Sequence, residues 1–328
     1  NKPLAVLIDV IAILTTVFGV TTSLGLGTVQ ISAGMAHIFG VEETFTNKVY
    51  IIIFITLLGL TSVSLGLNAG IKKLSQVNMI IASGLLLLVF VLGPTIFIVN
   101  ALVQNFGAYL NTIIQSATWT EVYDPTSWQN GWTLFYFTWW FSWAPFVSLF
   151  IARISYGRTI KEFIVGVLFV PSLIVFLWMG VFGNAAIYQV VSNTSDISQV
   201  VANNLPVALF TLYDVYPFAQ PLSIISLILI VTFFVTSSDS GALVASMLSS
   251  KDQTDINDDS PMISRVTWAI LLGVVAAVLL YAGGLTALQT SVVITGVPFA
   301  IIMVFACKNL LKGLKESDNT PPGHINSD

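Results

Sequence analysis

Reactive and charged side chains are scarce in this chain. Its 328 residues include one cysteine, Cys307, and two histidines, His37 and His324. A single cysteine excludes an intramolecular disulfide, and the histidines stand in no zinc-type pattern. Charged residues make up 9% of the chain, where a soluble domain carries about a quarter. The formal net charge of −4 is small and spread out, which argues against nucleic acid as a partner. No methionine and no signal peptide open the chain. It enters an apolar run just after Asn1, as expected of a fragment or a processed chain.

What fills the space is hydrophobic: 55% of residues. A membrane-spanning helix needs about 20 mostly apolar residues, and eight such runs are found, over residues 4–27, 49–69, 79–103, 132–152, 163–183, 222–248, 266–282 and 285–306. The last two are separated only by Gly283 and Gly284, a tight hairpin. The fold class is therefore an all-α polytopic membrane protein. Residues 1–315 form one transmembrane domain, and the polar tail 316–328 is expected to be disordered.

The cations test this count, because Lys and Arg concentrate on the cytoplasmic side. Lys2, Lys72, Lys73, Arg153, Arg158, Lys161, Lys251, Arg265, Lys308, Lys312 and Lys315 all fall at a chain end or after an even-numbered span; only Lys48 does not. The connections 104–131 and 184–221 contain no Lys or Arg. Both ends of the chain are thus expected on the cytoplasmic side of the plasma (inner) membrane. In the first connection, residues 109–119 put Leu110, Ile113, Ile114 and Ala117 on one helical face, the spacing of a helix lying on the membrane surface. Residues 203–213 are a second, short helical candidate.

The fourth run is the most informative. At about 100° per residue, Tyr136, Trp139, Trp140 and Trp143 fall within one arc. Trp128 and Trp132 flank the external end and fit an aromatic belt at the headgroups. Trp139, Trp140 and Trp143 lie mid-span, where a buried indole N–H needs a partner. Helix packing is one reading of them. The other is a cage for a methylated cation, which offers no N–H and is held by ring quadrupoles, at about 0.5–2 kcal/mol per contact. No acid lies in this run, which fits a zwitterion bringing its own carboxylate. Pro145 removes a backbone hydrogen bond just beyond, and a kink or local opening is expected there.

The sixth run is interrupted by Thr236, Ser237, Ser238, Asp239 and Ser240. Phe233, Thr236 and Ser237 share a face, and hydroxyl oxygens suit a small hard cation such as sodium; singly, such hydroxyls more often bond back to their own helix. Asp239 is an acid inside an apolar segment, a functional candidate by default, and its position towards the cytoplasmic end points to a gate or network role. Asp9, near the start of its span, reads better as a cap or interfacial contact. Gly19, Gly25 and Gly27 punctuate the first run around Thr21, Thr22 and Ser23, allowing close helix approach or bending. An aspartyl protease built on Asp9 and Asp239 lacks the Tyr-Asp and Gly-Leu-Gly-Asp contexts. A rhomboid protease would need Gly-x-Ser-Gly and a membrane histidine.

Residues 132–162 resemble the signature of the betaine/choline/carnitine transporters. The matching positions are Phe135-Tyr136, Trp139-Trp140, Ser142-Trp143, Pro145-Phe146, Phe150 to Ser155 and Gly157 to Ile160. Asp9, Thr16 to Gly19 and Ser23 to Gly27 are similar to the family's preceding region, and Thr236-Ser237 with Asp239-Ser240 to its late sodium-site helix. The resemblance implies twelve spans, ten of them in two inverted five-helix repeats of the amino-acid/sodium-symporter type. This chain looks like the last eight: 1–103 the end of the first repeat, 104–131 an external loop with its surface helix, and 132–306 the second repeat. The remainder would carry an unwound Gly-rich helix and the rest of the aromatic box.

The resemblance also implies roles. Trp139, Trp140 and Trp143, with Tyr136 beside them, would contact substrate. Phe233, Thr236 and Ser237 would hold one sodium ion, and Thr16 with Phe146 a second, although Val20 stands where some members have a hydroxyl. Sodium would be the coupling ion, with no other cofactor. Sodium-independent members use a fixed arginine, which the first span lacks. The expected activity is import of glycine betaine or a related quaternary-ammonium solute under osmotic stress, by a homotrimer in contact with membrane lipids, and not enzymatic. The alternative is sodium-independent transport or exchange of carnitine or choline.

Overall fold

A computed structural model describes residues 2–66, 72–123, 125–250 and 260–318. In lipid the backbone must satisfy its own hydrogen bonds, which favours helices, and among the described residues no strand occurs. The helices are α1 (Lys2–Phe39), α2 (Phe45–Gly66), α3 (Lys72–Leu92), α4 (Thr95–Thr118), α5 (Phe137–Ile154), α6 (Ile160–Ile164), α7 (Val170–Val191), α8 (Ile197–Asn203), α9 (Ala208–Tyr213), α10 (Ala219–Ser249) and α11 (Met262–Asp318). Wider π-type turns lead into α5 over Asn130–Tyr136 and join α6 to α7 over Val165–Phe169. Thr159 and Glu162 cap the entry to α6 reciprocally, each side chain bonding the other's backbone N–H.

Among the described residues eight helices are long and apolar enough to cross a membrane. That set counts α4 and takes α11 as one helix, so it is composed differently from the eight runs read from the sequence. α11 breaks at Gly283 and Gly284, where Gly284 has φ 61° and ψ −142°, a conformation only glycine adopts readily. One arm runs with α1: Val17 and Val20 cluster with Ala269 and Leu272, and Leu24 with Ala276 and Leu280. The other runs against it, Thr15 Oγ1 donating to Thr295 O (2.9 Å) and Thr22 Oγ1 to Leu288 O (3.0 Å). The chain therefore reverses at the glycine pair, as the sequence reading expects.

Several boundaries differ from that reading, three of them in ways that reshape the bundle. α1 continues past Gly27 to Phe39, because its glycines are contact points inside the helix and do not end it. A Cβ on Gly25 would lie 2.2 Å from Leu288, and one on Gly27 2.1 Å from the Phe234 ring. The run 79–103 is split at Gly93–Pro94: α3 ends at Leu92 and α4 starts at Thr95. Pro94 has no N–H to continue α3, and Thr95 Oγ1 closes the turn on Phe90 O at 2.8 Å. The surface helix expected over 109–119 is thus the second half of α4, whose first half packs against α7 through Leu102–Gly180 and Phe106–Phe176. At the far end α11 remains helical to Asp318, past the start of the tail expected to be disordered, and residues 319–328 lie outside the described residues.

α1 is the centre of the bundle. Its hydroxyls are satisfied locally or across helices: Thr21 Oγ1 bonds Val17 O, Ser23 Oγ donates to Gly19 O (3.0 Å), and Thr28 Oγ1 to Leu24 O (2.7 Å). The segment 192–218 folds over the C-terminal end of α1. Its Phe210 seats on Gly34, and Asp214 Oδ1 lies 3.0 Å from His37 Nε2. Tyr213 is fully buried, shares a 2.9 Å hydrogen bond with Ser226 Oγ, and has its phenol pKa pushed up by that burial.

Candidate substrate and ion site

α5 has two chemically distinct faces. Thr138, Ser142, Pro145 and Phe146 are buried, at i, i+4, i+7 and i+8. Small contacts seat this face: a Cβ on Gly19 of α1 would lie 2.4 Å from Ser142 Oγ, and one on Gly296 of α11 2.5 Å from Thr138 Cγ2. Seating it leaves the aromatic residues on the remaining arc of the helix. Tyr136, Trp139, Trp140, Trp143, Ala144 and Val147 line one groove of about 370 Å³, within the size range of small-molecule sites. Its lining bears no charged residue. Tyr136 meets Trp139 and Trp140 edge-on, with ring centroids 5.9 and 6.2 Å apart. The helix runs unbroken through Pro145, so the expected local opening is not seen there.

The mid-span indoles find their partner on α1. Trp139 Nε1 donates to Ser23 Oγ at 3.1 Å, and Trp143 Nε1 donates to the same oxygen at 3.2 Å. The sequence alone places Ser23 in a hydroxyl run among glycines and in the Ser23 to Gly27 stretch, and assigns it no partner. The available signal was that buried indoles need an acceptor and the first span offers one beside Gly19. Trp140 is 59% exposed and opens to the groove. Outside it, Trp132 stacks on Trp128 (5.9 Å), and Trp128 meets Trp119 (5.3 Å). Glu121 organises this loop by accepting from Thr126 Oγ1 and from the N–H groups of Gln129 and Trp128. The Thr126 hydroxyl first, then the two N–H groups, hold its carboxyl pKa below the ordinary value.

The residues considered for ions fall in two places. Gly19 meets Ser142 and Ser23 meets Trp139, an antiparallel register that sets Thr16 at the level of Phe146. Thr16 is fully buried and its hydroxyl has no hydrogen-bond partner; the Phe146 ring lies 5.4 Å from that of Trp143. Val20, one turn on, packs against Gly241 and brings no oxygen. On α10, Phe233 is 38% exposed, and Thr236 Oγ1 donates to Phe233 O at 2.8 Å. Ser237 is half-buried beside it, so this face is more open than the one bearing Val235, Ser238 and Asp239. Asp239 is completely buried, with neither carboxylate oxygen hydrogen-bonded, and it faces Ser62 of α2 and Arg265 of α11. Asp9 is exposed on α1. Among the described residues no group of three His, Cys, Asp or Glu could hold a metal.

A family model described as "BCCT, betaine/carnitine/choline family transporter" matches residues 1–319. The chain belongs to the betaine/carnitine/choline transporter family. That family is one of transporters, not enzymes, and with eight candidate spans the chain is a multi-pass membrane protein. It is 40% identical to a glycine betaine transporter of Acinetobacter baylyi over 95% of this chain and 47% of that protein. It is 43% identical to a glycine betaine/proline/choline transporter of Vibrio parahaemolyticus over 94% of this chain and 55% of that protein. The glycine betaine transporter OpuD of Bacillus subtilis is 40% identical over 96% of this chain and 61% of its own length. The chain spans about half the length of the curated relatives it matches. Both α5 and α10 fall inside the family match.

Proposed function

We propose that this chain carries part of the aromatic box of a transporter that imports glycine betaine or a closely related quaternary-ammonium solute. The observation behind the reading is the charge-free groove on α5 lined by Tyr136, Trp139, Trp140 and Trp143. A trimethylammonium group donates no hydrogen bond and is held by ring faces, with tryptophan the strongest. The printed substrates of the relatives, glycine betaine foremost, agree with that chemistry.

Sodium symport is the coupling we favour. The Phe233, Thr236 and Ser237 face of α10 offers oxygens to a hard cation, and the unpartnered Thr16 hydroxyl at the level of Phe146 offers another. Asp239 belongs to the network that gates the cytoplasmic end. The cation distribution supports cytoplasmic ends for the chain in the plasma (inner) membrane. In this reading 1–103 ends one repeat and 132–306 forms an inverted second, and the exposed face of α4 packs in a homotrimer. The test is uptake of labelled glycine betaine by the intact protein at fixed pH and voltage, with and without a sodium gradient. Uptake only with sodium is expected. Unchanged uptake in potassium would shift the reading to sodium-independent carnitine or choline exchange, and no uptake of any quaternary-ammonium solute would end it.

A further inference from the structure

One hydroxyl serves two aromatic walls. A serine hydroxyl has one donor and two acceptor positions. Ser23 Oγ donates to Gly19 O (3.0 Å) and accepts from Trp139 Nε1 (3.1 Å) and Trp143 Nε1 (3.2 Å). Its hydrogen-bonding capacity is therefore full, and it is only 3% exposed. We propose that Ser23 is the positioning residue of the groove: by accepting both indole N–H groups it sets the orientation of Trp139 and Trp143 together.

The geometry explains why one atom suffices. Trp139 and Trp143 stand one turn apart on α5, so both can reach a single point on the facing helix. α1 comes close enough because Gly19, one turn before Ser23, leaves room for Ser142. Ser142 in turn donates to Trp139 O at 2.6 Å. An indole is a donor only, and drawing its N–H towards α1 leaves the groove with ring surface and no donor from these two residues. Such a surface suits a fully methylated ammonium. An ammonium that still carries N–H finds no acceptor there and stays under-bonded. Ser23, saturated and buried, acts on the solute only through the rings, and by fixing their faces it favours glycine betaine, whose methylated cation ring faces satisfy in full, over dimethylglycine, whose N–H they do not.

The proposal rests on the reading of the groove as a quaternary-ammonium site, and the experiment separates the two. In the intact protein, glycine betaine uptake is measured as KM and kcat, dimethylglycine competition is measured beside it, and the indole N–H resonances are recorded after 15N-tryptophan labelling. Ser23→Ala is expected to raise KM about tenfold, the scale of losing the acceptor of buried donors. It should leave kcat within about twofold, narrow the preference for betaine and move two indole resonances. Ser23→Thr keeps the hydroxyl and should restore all three. Should Ser23→Ala fail to reach the membrane, Ser23→Cys, a weaker acceptor of similar shape, should give an intermediate KM. In a Trp139→Phe, Trp143→Phe background, which has no indole N–H to hold, replacing Ser23 should change nothing further. Unmoved resonances with wild-type KM, or a fall in kcat alone, would overturn the positioning role. If the wild type transports no quaternary-ammonium solute while the resonances still move, the functional reading fails and the hydrogen-bonded fork survives. If Trp140→Leu abolishes uptake and Ser23 variants are silent, the reverse holds.

Discussion

α1 and α4 are both long apolar helices, yet 39% of the apolar window of α1 is buried and only 6% of that of α4. The difference follows side-chain size. α1 buries Thr15, Thr16, Thr21, Thr22, Ser23 and Thr28, while α4 leaves Ile96, Val103 and Ile114 exposed. Lipid is as apolar as leucine, so nothing drives bulky apolar residues inward. Close backbone approach and interhelical hydrogen bonds hold the bundle instead. The functional candidates on α5 sit where they do because α1 is smooth enough to receive the other face of that helix.

The largest effect should come from roughening α1. Gly27→Leu would drive a side chain into Phe234 and is expected to cost about 3 kcal/mol, the upper range for overpacking. The unfolding midpoint of the purified intact protein in detergent measures it. A midpoint equal to wild type would mean that α1 is not the packing centre.

Much of this arrangement could be read from the chain alone. Hydropathy located the apolar helices, and the period of 3.6 put Tyr136, Trp139, Trp140 and Trp143 on one face. Gly283–Gly284 marked the reversal in α11. Ser23 escaped, since its partners lie 116 and 120 residues away and no local pattern joins them. The length of α1 escaped for a related reason. A glycine that ends a helix and one that seats a neighbour look alike until the neighbour is known, and Gly27 needs Phe234 beside it to be understood. The α3–α4 break was signalled by Gly93–Pro94 but lay inside a continuous apolar run, where hydropathy outweighed the proline.

Next in size is the contrast within the tryptophans. Trp140→Leu should weaken glycine betaine affinity by about 0.5–2 kcal/mol, one cation–π contact. Trp128→Leu, in the loop stack, should leave it near wild type. Concentration dependence of uptake at matched expression decides, and equal losses would return Trp140 to ordinary packing. Tyr213→Phe removes the buried bond to Ser226 at the cover over the end of α1, for about 1 kcal/mol, read as a lowered unfolding midpoint.

Smaller still is the loop before α5. The Glu121 carboxyl has a lowered pKa in the folded protein, so its contribution is present above the ordinary carboxylate pKa and is lost as pH falls through the lowered one. Proteolytic nicking near Trp128 should therefore rise on acidification in wild type, and Glu121→Gln should be nicked readily even at neutral pH. The smallest effect is the control for the opening comparison. Gly107 of α4 has nothing within 4 Å of a built Cβ, so Gly107→Leu, read on the dissociated protomer, should lower stability by no more than about 0.5 kcal/mol. A loss matching Gly27→Leu would erase the distinction between the two helices.

The central claim is that ring faces on α5 recognise a methylated cation by its charge. The direct measurement is competition against labelled glycine betaine uptake by 3,3-dimethylbutanoate, in which carbon replaces the quaternary nitrogen at nearly unchanged shape. Loss of the cation–π contacts of several rings predicts competition at least about tenfold weaker than by unlabelled glycine betaine. Equal competition by the two would contradict the account.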